Sequence, residues 1–113
     1  MSSLLAPKKL PDDALRLIAA RFKALSQHNR LKLIIALQDG EKNVSQLIEL
    51  TGLKQANVSR HLQTLTDSGL LARRRSGLEV IYSIADPGIF DMCHQVCGGI
   101  QKRLKNQAKA FMG

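Results

Sequence analysis

The stretch Val44–Leu71, VSQLIELTGLKQANVSRHLQTLTDSGLL, holds two helical patterns on either side of a short break. The first starts near Ser45, a residue suited to an N-cap, and puts Leu47, Ile48 and Leu50 on an apolar side. Gly52, inside the break Thr51-Gly52-Leu53, supplies the positive φ that a tight helix-to-helix turn needs. The second pattern starts near Gln55 and places Val58, Leu62 and Leu65 on one inward stripe; Gly69 follows as its C′ residue. Between the stripe residues lie Gln55, Asn57, Ser59, Arg60, His61 and Thr64, all able to hydrogen-bond and none acidic. A short helix, a glycine turn and a polar helix without acids describe a helix-turn-helix that reads DNA. The competing reading is a helical hairpin whose outer face is merely solvated.

Charge favours the first reading. The 113 residues carry 17 Lys+Arg against 9 Asp+Glu, a net charge of +8, which expects a polyanionic partner. A membrane surface fits poorly, because the chain has no Trp and no basic amphipathic helix with a Trp-rich face. No apolar run is long enough to cross a bilayer, and residues 1–10, with Pro7, Lys8 and Lys9, hold no signal-peptide core. They are expected to form a flexible arm ahead of a single domain over 11–113. Two cysteines four residues apart make no secreted disulfide framework, so a cytoplasmic protein with reduced thiols is expected.

Before the central stretch, Pro11-Asp12-Asp13 opens a helix with Leu15, Ile18, Phe22 and Leu25 at helical spacing, interrupted at Ser26–Asn29. A second helix, Arg30 to about Gln38, is densely apolar and is expected to be central and buried. Glu41–Asn43 reads as a polar link. After Gly69 the period changes to two: Leu70–Arg75 and Glu79–Ile84 flank Ser76-Gly77-Leu78 as a β-hairpin. Asp86-Pro87-Gly88 starts a last helix with Ile89, Phe90, Cys93, Val96, Cys97, Ile100 and Leu104. Its stripe lacks a partner in the chain, so it is expected to pack on the first helix and on a second subunit.

The order is α-α-α-α-β-β-α, an α+β, mostly α, winged helix-turn-helix. It resembles the ArsR/SmtB family of bacterial repressors. The likeness rests on Ala24-Leu25-Ser26-Gln27-His28-Asn29-Arg30-Leu31-Lys32-Leu33-Ile34, on Gln55-Ala56-Asn57-Val58-Ser59-Arg60-His61-Leu62-Gln63-Thr64-Leu65, on Ser68-Gly69-Leu70-Leu71 and on Tyr82-Ser83-Ile84. The resemblance implies a homodimer through the first and last helices, and a repressor that leaves double-stranded operator DNA when an inducer binds. Family members sensing arsenic or cadmium carry Cys-x-Cys near the third helix, where this chain has Asn43-Val44-Ser45. Members sensing zinc place Asp, His, His and Glu along the last helix. Here only Asp86 matches; Gly88 follows, and the later positions fall near Gly99 and Lys102. No metal site carries over.

Two residue sets can carry function. Gln55 and Asn57 can pair with adenine and Arg60 with guanine, while Ser59, His61 and Thr64 can reach bases or phosphates. Arg73, Arg74 and Arg75 lead into the wing, with Arg74 on the face opposite the other two. The second set is the pair Cys93 and Cys97, on one helix face with His94 nearby. It suits oxidation, persulfide chemistry or, with four thiols gathered across a two-fold axis, a soft metal ion. The alternative is plain core packing. No enzyme constellation is present. A winged-helix protein-interaction module is the rival function, and RNA binding a third.

Overall fold

The computed structural model describes residues 9–112, so nearly all of the expected arm, residues 1–8, lies outside the described residues. Helix α1 spans Asp12–Leu25, with Asp12 and Asp13 in its first turn and Lys23 in its last, each facing the helix end that attracts its charge. The interruption is shorter than expected. Only Ser26 and Gln27 separate α1 from α2 (His28–Ala36), because the Gln27 carbonyl already accepts from Arg30 N and Leu31 N, both at 3.1 Å. In α2 the dense apolar pattern divides in two. Leu33, Ile34 and, just beyond the helix, Leu37 are buried, whereas Leu31 and Ile35 face outward and are exposed, against the expectation of a wholly buried helix.

The expected link contains a strand, β1 (Lys42–Asn43), which adds to the hairpin. It ends on the true cap of α3 (Val44–Thr51). That cap is Asn43 and not Ser45: Asn43 Oδ1 accepts from Gln46 N and Gln46 Oε1 accepts from Asn43 N, each at 2.8 Å. Leu47 is buried and Ile48 packs on the core, but Leu50 faces solvent, so the apolar side is narrower than its spacing suggests. Gly52 takes φ +71° and its N–H donates to Ile48 O at 2.8 Å, closing α3 and turning the chain into α4 (Gln55–Asp67).

Val58, Leu62 and Leu65 of α4 are fully buried, as their stripe predicts. Gly69, at φ +82°, follows the C-cap Ser68 and leads into β2 (Leu71–Ser76). A two-residue loop, Gly77-Leu78, joins β2 to β3 (Glu79–Ile84). The sheet order is β1-β3-β2, all antiparallel, with Arg73 opposite Tyr82 and Lys42 opposite Tyr82 from the other side. Leu33, Ile34, Leu37 and Leu47 meet the α4 stripe and Leu70, Leu71 and Tyr82 in one core. This is a winged helix-turn-helix.

Helix α5 runs Gly88–Met112, 25 residues or about 37 Å, and only Ile89 of it is buried. From His94 onward every described residue of α5 is exposed. Helix α1 likewise buries only Ala24 and Leu25 and leaves Leu15, Ile18 and Phe22 exposed.

Candidate nucleic-acid interface

With Val58, Leu62 and Leu65 pinned inward, the helical period turns Arg60 away from the core and Ser59 to its flank, and both are exposed; Gln55 lies along the line of the stripe but is exposed as the first residue of α4. Asn57 is half-buried, and its Oδ1 accepts from Arg60 Nη2 at 3.0 Å, so the two side chains best suited to base edges are already paired one turn apart. Thr64 is half-buried and its hydroxyl donates to Arg60 O at 3.2 Å, which leaves it oxygen lone pairs but a committed proton. No acid precedes Asp67 in α4, and Gln63 Nε2 donates to the Asp67 carboxylate at 2.8 Å.

His61 does not belong to this face. It is 4% exposed, lies on the inward stripe and accepts at Nδ1 from Arg30 Nε at 3.2 Å. Burial, then the charges of Arg30 and Arg60, lower its pKa below the ordinary 6.5 and hold the ring neutral. A ring closed in this way cannot reach a base, so the expected DNA contact is withdrawn.

In the wing, register decides which arginine is available. Leu71, Arg73 and Arg75 share the face of Ile84, Tyr82 and Val80, while Arg74 lies with Ile81 on the other. Arg74 is engaged: its Nη2 donates to Glu41 Oε1 at 2.6 Å, and this hydrogen bond and the Glu41 charge raise its pKa. Arg73 and Arg75 are exposed and make no ion pair among the described residues. Lys54, the exposed N-cap of α4, adds a cation beside the polar face; its position just before Gln55 was the available signal, but it carries no motif.

The two cysteines are free, Cys93 half-buried and Cys97 exposed. Both line one apolar trough of about 560 Å³ between α1, α2 and α5, with Phe22, Ile35, Met92 and Ile100. No group of three or more His, Cys, Asp or Glu residues able to hold a metal ion occurs among the described residues. Asp86, the one match to the zinc pattern, is occupied otherwise: its Oδ1 accepts from Gly88 N at 3.2 Å and its Oδ2 pairs with Arg21 of α1. No described helix is long and apolar enough to cross a membrane.

Comparison with known proteins agrees with this architecture. Residues 27–73 match the bacterial regulatory protein, arsR family. The chain is 30% identical to the transcriptional regulator KmtR of Mycobacterium tuberculosis, over 95% of both chains. It is 38% identical to a probable mercury resistance operon repressor of Streptomyces lividans over 63% of this chain, a match spanning 57% of that repressor's length. The homodimeric winged helix-turn-helix DNA-binding domain of a possible ArsR-family regulator from Mycobacterium bovis superposes with a TM-score of 0.75 at 28% identity, over 90% of this chain and 95% of that one. The helix-turn-helix, the wing and a full-length relative together place this chain in the ArsR family of bacterial regulatory proteins, a family of regulators and not of enzymes.

Proposed function

We propose that the chain is a dimeric, sequence-specific DNA-binding repressor, released from its operator by chemistry at the Cys93 and Cys97 thiols. The observation that carries the first part is the exposed, acid-free face of α4 beside the free arginines of the wing. Gln55, Asn57, Ser59 and Arg60 read bases, Thr64 lends an acceptor, and Arg73 and Arg75 hold phosphates. Arg74 serves the fold through Glu41. Residues 11–113 act as one DNA-binding and dimerisation unit in the cytoplasm, preceded by the arm.

Dimerisation is supported by the apolar faces that α1 and α5 leave exposed, where Phe22 is 56% and Ile100 54% exposed. The homodimeric state of the Mycobacterium bovis domain agrees with it. Two half-sites bound at once explain why a module with so few base-reading side chains is specific.

The thiol reading is supported by the shared trough, which puts both sulfurs against the helices that would form the interface. Cβ atoms four residues apart on a helix are about 5–6 Å apart, against about 3.5–4.5 Å in a disulfide, so a bridge needs either the partner protomer or a local distortion of α5. Oxidation by peroxide would remove two protons and two electrons from two thiols and join their sulfurs. A soft metal would need thiolates from both protomers, since no group of three or more His, Cys, Asp or Glu able to hold it occurs within one among the described residues. Either event moves α5 against α5 and changes the spacing of the two α4 helices.

The test uses the duplex that the wild-type protein selects from a randomised DNA pool. Peroxide, a persulfide donor or Cd²⁺ should release wild type from that duplex but leave Cys93→Ser or Cys97→Ser bound. Release that is identical in all three proteins assigns the cysteines to packing. A protein-interaction module would bind its partner with little salt dependence, whereas the selected duplex should be lost steeply as salt rises.

A further inference from the structure

Arg30 is oddly placed for a surface arginine. It lies in the first turn of α2, where the helix dipole disfavours a cation, and no carboxylate pairs with it among the described residues. Its guanidinium faces inward instead. Nε donates to His61 Nδ1 at 3.2 Å, and Nη1 donates to Ala24 O at 3.3 Å. Ala24 is in the last turn of α1, where carbonyls have no partner within the helix. One planar fork therefore joins α1, α2 and α4.

His61 is equally specific. It follows Val58 by three residues and precedes Leu65 by four, so it occupies a core position of α4 that leucine would fill with no hydrogen bond to satisfy. It is the sole buried polar side chain among the described residues, and Arg30 satisfies it. A buried polar group so held fixes one geometry more tightly than apolar packing, because the bond is lost if the helices slide.

We propose that Arg30 and His61 are positioning residues for operator binding: their clasp sets the angle between α4 and α1 without either residue touching DNA. This rests on the reading that α4 recognises DNA and α1 helps to form the dimer. The consequence is geometric. Helix α4 has 13 residues. At 1.5 Å per residue it is about 20 Å long, so a rotation of about 10° moves its far end by about 3 Å. That displacement is about one base-pair step along the duplex. In a dimer, the angle of α4 to α1 in each protomer determines which half-site spacing both recognition helices can meet together.

The experiment measures binding of full-length variants to the duplex selected by wild type, to versions with one base pair added or removed between half-sites, and to random duplex. Temperatures are kept well below each variant's unfolding transition. His61→Leu should fold, bind random duplex as wild type does, lose about tenfold in affinity for the selected duplex, and lose the preference for its spacing. His61→Asn, whose Oδ1 can take the place of Nδ1 as acceptor, should recover most of that affinity and the spacing preference. Arg30→Lys, at a half-buried position, keeps the charge but lacks the fork that bonds both acceptors, and should behave as His61→Leu does. This second variant decides the matter if His61→Leu does not fold. Wild-type affinity and spacing preference in His61→Leu and Arg30→Lys overturn the clasp, as does a His61→Asn no better than His61→Leu. Arg60→Ala, measured alongside, separates the two readings. If it loses the selected duplex while His61→Leu and Arg30→Lys do not, recognition by α4 stands and the clasp alone falls. If Arg60→Ala and the clasp variants all bind as wild type does, both fall.

Discussion

Arg60→Ala is the sharpest test of how α4 meets DNA. Arg60 is exposed, so its loss leaves no core defect, and its only side-chain bond among the described residues, to Asn57 Oδ1 at 3.0 Å, lies on the helix surface. Stability should therefore change by no more than about 0.5 kcal/mol. Binding should change far more. A guanidinium reading a guanine edge contributes about 1–3 kcal/mol of discrimination. A dimer presents two copies at separated half-sites, so the effects add to about 2–6 kcal/mol. At about 1.4 kcal/mol per tenfold, that is a loss of at least about thirtyfold on the selected duplex. Titrations by gel shift or fluorescence anisotropy on selected and random duplex, at three salt concentrations, measure both terms. If Arg60 only held phosphate, both duplexes would weaken equally and the salt slope would fall by about 1 per protomer. Equal losses refute base reading, and an unchanged affinity removes the exposed face of α4 from the interface.

Further outcomes follow from the same geometry. Arg75→Ala should weaken selected and random duplex alike, whereas Arg74→Ala, whose charge Glu41 already holds at the half-exposed surface, should change neither by more than about twofold, as salt titrations would show. Ile100→Asp should give a monomer by sedimentation and lose the selected duplex; an intact dimer would take α5 out of the interface. Asn43→Ala removes half of the capping box and the contact to Glu79, and should cost about 0.5–2 kcal/mol in urea unfolding. His61 has a folded pKa below its unfolded value near 6.5, so its contribution to stability is complete above pH 6.5 and declines as pH falls from there through the folded value. Urea midpoints against pH should show that acid limb in wild type and a flatter one in His61→Leu.

Much of the fold was legible because periodicity reports burial directly. Val58, Leu62 and Leu65 define the inward face of α4 at helical spacing, and Val80, Tyr82 and Ile84 alternate as a strand must. The failures share a cause. The two-residue strand β1 is too short to show any period and exists only because β3 offers it an edge. Ser45 and Asn43 are both good N-caps, and the Gln three residues after Asn43 should have decided between them. Leu31, Ile35 and Leu50 are apolar and exposed, which a pattern of types alone cannot reveal.

The site was harder to read, because polar residue types say what a side chain can bond but not where its bonds already go. His61 and Arg60 are neighbours that can both hydrogen-bond DNA, yet one is closed by Arg30 from another helix and the other, bonded to Asn57 on the surface of its own helix, is exposed. The spacing of His61 from Val58 and Leu65 marked it as inward, and the basic first turn of α2 marked Arg30 as unusual. Neither names the other as partner, since 31 residues separate them. The same logic applies to Arg74, which is indistinguishable from Arg73 and Arg75 until Glu41 is seen beside it. Sequence ranks the groups that can meet DNA, and tertiary contacts remove those already engaged. What survives as the proposed interface, Gln55, Asn57, Ser59, Arg60 and Thr64 on α4 with Arg73 and Arg75 on β2, is smaller than the sequence offered. So few contacts per protomer cannot alone supply the specificity of an operator, which is the physical reason for two copies held at a fixed spacing.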